Sequence, residues 1–272
     1  MSIGKLIRKG LSFSNVVAAG TATANITPGR TLEGIYLVMG GTTFNSSHIS
    51  LLRMKVNGKT VIEGSGAQLD KIAKFGGLSY PATALPIMFI ELPGRDFVDQ
   101  MAGAFDTTRG INTITLEVTI AGATSPILDM YLLESPPQTG GFSELMHKII
   151  RYPFNVSSGG QLPIQLPFGP NNGAIIKRMH IEHGVANNVQ AVTIKENAVV
   201  VHESVKAIND AHNQFFRSIN QTNTYTVDCM PDENIRNCMD TRSDRSLELL
   251  VTFGAADSGM VVVEYLDKLQ NL

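Results

Sequence analysis

Phe13-Ser14-Asn15-Val16-Val17-Ala18-Ala19-Gly20 returns further along the chain as Phe154-Asn155-Val156-Ser157-Ser158-Gly159-Gly160. With Asn15 set against Asn155 the copies stand 140 positions apart, and the same spacing lays Gly20 on Gly160, Gly29 on Gly169, Ile35 on Ile175 and Glu63 on Glu203. The ends agree after a few deleted residues. Asp106-Thr107-Thr108-Arg109 matches Asp240-Thr241-Arg242, Thr115 to Thr119 resembles Ser246 to Leu250, and Ser125 to Leu132 resembles Ser258 to Leu266, with Tyr131 on Tyr265 at a spacing of 134. Matches in the same order in both halves mean that one domain occurs twice, since a repeat this long is no solenoid unit of a few tens of residues.

Size agrees with two domains: 272 residues and 29.4 kDa give each half enough chain for a core of its own. Charged residues are 17%, against about 25% in an average soluble domain, and mean hydropathy is +0.05. A surface so poor in charge suits a chain that buries it against neighbours, although any β-rich chain heavy in Thr, Ser, Asn and Gly would share the figure. A net charge of −2 supplies no single-sign field to steer the chain onto nucleic acid, so no direct nucleic-acid contact is expected. Cys229 and Cys238 follow no metal or redox spacing and read as reduced thiols of a chain folded in cytosol. The N-terminal stretch is no secretory signal, because Ser12, Ser14 and Asn15 interrupt its apolar run. No segment reaches the roughly 18 to 20 apolar residues of a membrane span.

Along the chain, Ile3, Leu6, Ile7 and Leu11 lie at helical spacing with Lys5, Arg8 and Lys9 opposite, which predicts a short basic amphipathic helix over 3–11. Strands are expected at 15–27, 35–39, 49–56 and 59–62, the last two joined by Asn57-Gly58, whose residues both accept the positive φ of a tight hairpin. A brief helix over 67–75 and strands at 84–91, 111–120 and 127–133 complete the first half. Ser135-Pro136-Pro137-Gln138-Thr139-Gly140-Gly141 is the clearest linker, which divides the chain into domains 1–138 and 139–272. Beyond it come a helix over 142–150, strands at 161–166, 174–182, 189–195, 198–202, 222–229, 246–253 and 259–266, and a helix over 203–216 with Val205, Ile208 and Phe215 on one face. Seven or eight short strands per half predict an all-β chain of two tandem eight-stranded antiparallel jelly rolls.

Motifs for chemistry are scarce. In His180-Ile181-Glu182-His183 the two histidines are three apart on a strand and point to opposite faces, so they cannot share an ion. His48, His147, His202 and His212 stand alone, and no His-x-His exists to support a two-domain cupin. Gly64-Ser65-Gly66 lacks a third glycine and the long helix of a dinucleotide site, and no phosphate loop or Gly-x-Ser-x-Gly elbow occurs. Asp96, Asp99, Asp232, Glu233, Asp240 and Asp244 fall in expected loops, where most carboxylates are solvated or paired. They leave room for a structural divalent cation such as calcium at an interface, and no cofactor is expected.

Taken with Asn15-Val16-Val17-Ala18-Ala19-Gly20, the turn Val56-Asn57-Gly58-Lys59, the stretch Asn223-Thr224-Tyr225-Thr226-Val227-Asp228 and the closing Val263-Glu264-Tyr265-Leu266, the chain resembles the double jelly-roll major capsid proteins of membrane-containing icosahedral bacteriophages, of the corticovirus type. Residues 78–110 and 229–245 show little likeness. The resemblance implies a non-enzymatic shell protein of the virion, made in the host bacterial cytoplasm. Its two jelly rolls would stand side by side in a pseudo-hexagonal homotrimer, its trimers would form a lattice with partners such as a penton protein, and lipids of an internal membrane would lie beneath. In that setting Ile3, Leu6 and Leu11, with Lys5, Arg8 and Lys9, would be membrane-proximal, or the segment would pack on a neighbouring subunit. The alternatives are a carbohydrate- or receptor-binding β-sandwich, for which the chain has no Trp and 7% aromatic residues, and third a cupin-like enzyme without its metal ligands.

Overall fold

The computed structural model describes residues 4–94, 96–137, 145–268 and 271. The first half contains β1 (Leu6–Lys9), β2 (Ala19–Ile26), β3 (Thr31–Gly40), β4 (Ile49–Val56), β5 (Lys59–Gly64), helix α1 (Gly66–Phe75), β6 (Ala84–Met88), helix α2 (Phe97–Met101), a two-residue β7 (Phe105–Asp106), β8 (Ile114–Ala121) and β9 (Ile127–Ser135). The second contains β10 (Leu145–Val156), β11 (Gly160–Ile164), β12 (Ile175–His183), β13 (Val189–Glu196), β14 (Val199–Val205), helix α3 (Lys206–Phe215), β15 (Thr224–Asp228), a two-residue β16 (Met239–Asp240), β17 (Leu247–Phe253) and β18 (Asp257–Lys268). In the first half the facing sheets run β1-β9-β3-β6 and β2-β8-β4-β5, and in the second β10-β18-β12-β15 and β11-β17-β13-β14. Numbered within its own half, each sheet has the same order, which is that of an eight-stranded jelly roll. The chain is a double jelly roll.

Each strand forms because its alternating residues meet a core. Ile114, Leu116, Val118 and Ile120 of β8 are buried while Thr115, Glu117 and Thr119 between them are not. In the second half Leu247, Leu249, Val251 and Phe253 of β17 do the same work. The duplication reaches the irregularities. A bulge after Met54 recurs after Ile194, and one between Ile49 and Leu51 recurs between Val189 and Ala191. The turn Asn57-Gly58, with φ of 51° and 81°, recurs as Asn197-Ala198 with φ of 51° and 67°.

Toward the end of each half the register differs from the sequence match. Tyr265 lies in the second core, whereas Tyr131 pairs across from Lys9 on the outward face of β9. The residue that stands where Tyr265 does is Leu132, which pairs with Ile35 as Tyr265 pairs with Ile176. Sequence similarity had slipped by one, and a slip of one exchanges the faces of a strand.

Three expected helices need correction. Residues 6–9 form β1, an antiparallel partner of β9, because strand pairing brings Arg8 to the buried carboxylate of Glu134 and a ten-residue helix is marginal alone. Residues 145–156 form β10, which pairs with β18 over its whole length; residues 138–144, among them the first three of that expected helix, lie outside the described residues. The helix over 203–216 is real but shorter, Lys206–Phe215, and its apolar face points outward. Val205, Ile208 and Phe215 are exposed, while Asn209 and Asn213 are buried and donate to the Thr226 carbonyl at 2.7 and 3.1 Å.

Candidate functional site at the seam between the jelly rolls

β10 lies parallel to β5, with Ile149 beside Ile62, so one sheet runs from the first jelly roll into the second. The face of the β10-β18-β12-β15 sheet that points away from the second core is covered by the first half. Met146, Ile149 and Val262 join the first core. Helix α1, capped by Ser65 and Gln68, carries three side-chain contacts across: the Phe75 ring stands edge-on to His180 at 5.5 Å, Lys71 reaches Glu182 at 3.6 Å, and Arg151 donates to Gln68 at 3.5 Å as well as to Glu63 at 2.8 Å, while the Phe75 carbonyl accepts from the Ile219 N–H at 3.0 Å.

Beneath the helix lies a buried charge cluster. Glu91, from the loop after β6, meets both Lys177 and Arg178. Adjacent strand residues ordinarily face opposite ways, but β12 carries a bulge between Ile176 and Arg178 that turns both cations to one carboxylate. Glu264 of β18 accepts from His180 Nε2 at 2.9 Å and lies 3.3 Å from His147 Nε2, while Lys177 is 3.2 Å from His147 Nδ1. Arg178 also pairs with Asp228 and Glu233. Burial works to raise the Glu91 carboxyl, but the charges of Arg178 and Lys177 prevail and hold it down at about 2. Glu264 is likewise held well below the carboxylate range, against its burial, by hydrogen bonds from His147 and His180 and by the two cations. Burial, then the nearby Lys177 charge, keeps the His147 imidazole below its usual value. Glu233 goes the other way: burial, joined by Glu91 and Asp228 against Arg178, pushes it up to about 7.

Glu91, His147 and Glu264 offer ligand atoms within 4.8 Å of one another. A divalent cation does not fit there, because the Lys177 ammonium already stands among all three. Above the cluster opens a cleft of about 260 Å³ walled by Leu69, Ile72, Met88 and Leu92. Among the described residues that line it, no nucleophile is paired with a base. Cys229 and Cys238 are free thiols, and burial pushes the Cys238 thiol up to about 12, far from a reactive thiolate.

The residues singled out near the N-terminus are placed on β1 and beside it. Lys5 pairs with Glu33 at 3.0 Å, Arg8 with Glu134 at 2.7 Å and Lys9 with Asp129 at 3.0 Å, so all three cations are engaged within the chain. Leu6 is half-buried, Ile7 and Leu11 are exposed, and Ile3 lies outside the described residues. His180 and His183 go to separate partners, the latter to the Val185 carbonyl. Asp96 caps α2, Asp240 pairs with Arg242 and Asp244 accepts from Asn197. His147, solitary in sequence, belongs to the cluster. Lys177 and Arg178, set among Ile175, Ile176 and Met179, are, with His180, the sequence signal that a polar patch is buried on this strand.

Two jelly rolls of one topology, joined through one sheet and by a buried ionic cluster along their seam, define a double jelly-roll protein. The family model for the viral coat protein P2 N-terminal domain matches residues 7–132 and that for its C-terminal domain residues 146–269; the chain belongs to this coat-protein family. It is therefore a structural protein of the virion capsid and not an enzyme. Among solved structures it is similar to the major capsid protein P2 from bacteriophage PM2, at 19% identity and a TM-score of 0.84, over 96% of this chain and 97% of that one. The Sulfolobus turreted icosahedral virus structure follows at 13% identity and 0.71, over 98% and 91%. PBCV-1 VP54 aligns at 9% identity and 0.65, over 98% and 94%. No curated protein sequence matches.

Proposed function

We propose that the chain is a major capsid protein whose homotrimers, each presenting six jelly rolls, form pseudo-hexagonal tiles of an icosahedral shell over an internal lipid membrane. The observation that carries this reading is the repetition itself: two jelly rolls with one topology joined edge to edge by β5 and β10. Three such chains in a closed ring give an approximate sixfold outline, and closed rings are the usual state of soluble oligomers. A low charge content serves walls that are buried within the ring and again between rings. Synthesis in a host cytoplasm and contacts to a penton protein belong to the same proposal. Lipid contact through Lys5, Arg8 and Lys9 would require breaking three ion pairs, so packing on a neighbouring subunit is the reading we carry for β1. Native mass spectrometry at micromolar concentration tests the reading. A trimer is expected, and a chain that stays monomeric under assembly conditions refutes it.

A further inference from the structure

The cleft over the charge cluster is apolar along its walls and polar only at its floor. Leu69 and Ile72 of α1 line it together with Met88 of β6 and Leu92 beyond, while His147, Arg178 and Glu264 of the second jelly roll, with Glu91, form the floor. Apolar walls with a few polar groups to orient a ligand are the ordinary form of a small-molecule site. An apolar cavity of about 150 Å³ takes one benzene ring, so a cleft of about 260 Å³ has room for roughly ten non-hydrogen atoms.

The floor specifies the head of such a molecule. Most of its groups bond one another: Glu264 Oε1 accepts from His180, and Glu91 takes Lys177 and Arg178. One donor is left nearly idle. His147 is 2% exposed, and its Nδ1 stands 3.2 Å from the Lys177 ammonium, which can only donate, so Nε2 carries the ring proton. That N–H finds only a weak contact, because Glu264 Oε2 lies 3.3 Å away and out of line. A buried donor in this state is uncommon and costly. A hydroxyl seated beside it would accept from Nε2 and donate to the Glu264 carboxylate. A carboxylate head would come among Glu91, Glu264, Asp228 and Glu233, which outnumber Lys177 and Arg178. An ammonium head would face the His147 N–H and the lysine already placed between the acids. Either charged head would also lose its hydration against apolar walls.

We propose that the seam cleft binds a neutral amphiphile, an aliphatic alcohol whose hydroxyl sits between His147 and Glu264 and whose chain of about nine carbons lies along Leu69, Ile72, Met88 and Leu92. Bound there, it touches both jelly rolls and braces their seam. Every wall belongs to one chain, so the inference does not depend on the trimer reading.

Isothermal titration calorimetry of the full chain with straight-chain primary alcohols tests it. Affinity should rise about fourfold per methylene from hexanol to nonanol, the increment for burying one methylene, and level off beyond, where the cleft is full. Nonanol should bind at least about 10-fold more tightly than nonanoate or nonylamine. Gly76 lines the cleft at a φ of −71°, and a Cβ added there meets nothing closer than 3.7 Å, so Gly76→Phe should fill the cleft and abolish binding with the melting curve unchanged. In the parent labelled at its methionine methyl groups, nonanol should move the Met88 signal and leave that of Met179, in the second core, in place; this readout stands even where the Gly76 variant fails to fold. Absence of binding by every alcohol, or a Met88 signal that does not move, overturns the site. Equal binding of the three nonyl compounds overturns the hydroxyl position. Undiminished nonanol binding by a folded Gly76→Phe chain overturns the location.

Discussion

Replacing Lys177 by methionine removes the cation of the seam while keeping the length and apolar stem of the side chain. The Lys177 side chain is 1% exposed and holds Glu91 and Glu264 together with His147. Deleting one partner of a buried ion pair costs about 3–5 kcal/mol, because the remaining charges stay buried without compensation. In a chain of this size each kcal/mol moves the melting temperature by about 2–4 °C, so a drop of about 10 °C is expected at pH 8. The loss should shrink at pH 5.5. Burial, then the Lys177 charge, lowers the His147 pKa in the parent against Glu264 and Glu91, which raise it; removing the Lys177 charge is expected to let the ring take up a proton at pH 5.5. A histidine whose folded pKa rises above its unfolded value contributes stability that is present at low pH and lost as pH rises through the folded pKa. Protonated His147 then replaces part of the missing cation. Urea unfolding at pH 8 and 5.5 measures both losses. Lys55→Met, which removes an ion pair to Glu117 between partly exposed side chains, serves as control and should cost less than about 1 kcal/mol. A Lys177→Met loss under about 1 kcal/mol at pH 8, or one equal at both pH values, would refute the assigned role of this lysine.

Glu233→Gln should stabilise the chain at pH 8 and change little at pH 5: burial raises this carboxyl to about 7, so folding takes up a proton and stability falls as pH rises from about 4.5 through 7. Denaturation midpoints at the two pH values check it, and a loss at pH 8 would show the Arg178 contact to be dominant. Ala198→Gly should raise stability by about 0.5 kcal/mol, since Ala198 holds a φ of 67° in the turn where the first half has Gly58, and the relief exceeds the glycine's added freedom when unfolded. A lowered urea midpoint would count against that strain. Arg8→Ala should cost about 2 kcal/mol because the Glu134 carboxylate, 3% exposed, loses two charge-assisted hydrogen bonds. A surface helix at 3–11 would have lost almost nothing by the same change, so thermal melts distinguish the two placements of this segment.

The jelly rolls were legible because their information is local and repeated. Alternation over Ile114 to Ile120 and the Asn57-Gly58 turn each fix a strand or a hairpin from a few residues, and the recurrence of Phe13 to Gly20 fixes the second half from the first. The misread segments have apolar residues whose spacing suits a helix, but their conformation is decided by partners over a hundred positions away. β1 is a strand because β9 offers it an edge and Glu134 a buried charge; β10 is a strand because β18 accompanies it from Leu145 to Val156. The cluster was less legible still. Its carboxylates Glu91 and Glu264 lie 173 positions apart, one in each half, and the bulge at Lys177 that aims two adjacent cations at one acid leaves no trace in residue spacing.

The seam that the repeat creates is charged where a core would be apolar, and the covalent link between the two halves accounts for it. Within the chain, covalent linkage holds the first jelly roll against the second at high effective concentration, so the seam needs little affinity of its own and can carry Lys177, Arg178, Glu91 and Glu264, whose desolvation consumes most of what their attraction returns. Such a network fixes register, because a charge displaced from its partner is costly. Making the seam apolar should therefore leave both jelly rolls folded and loosen the alignment of the two halves.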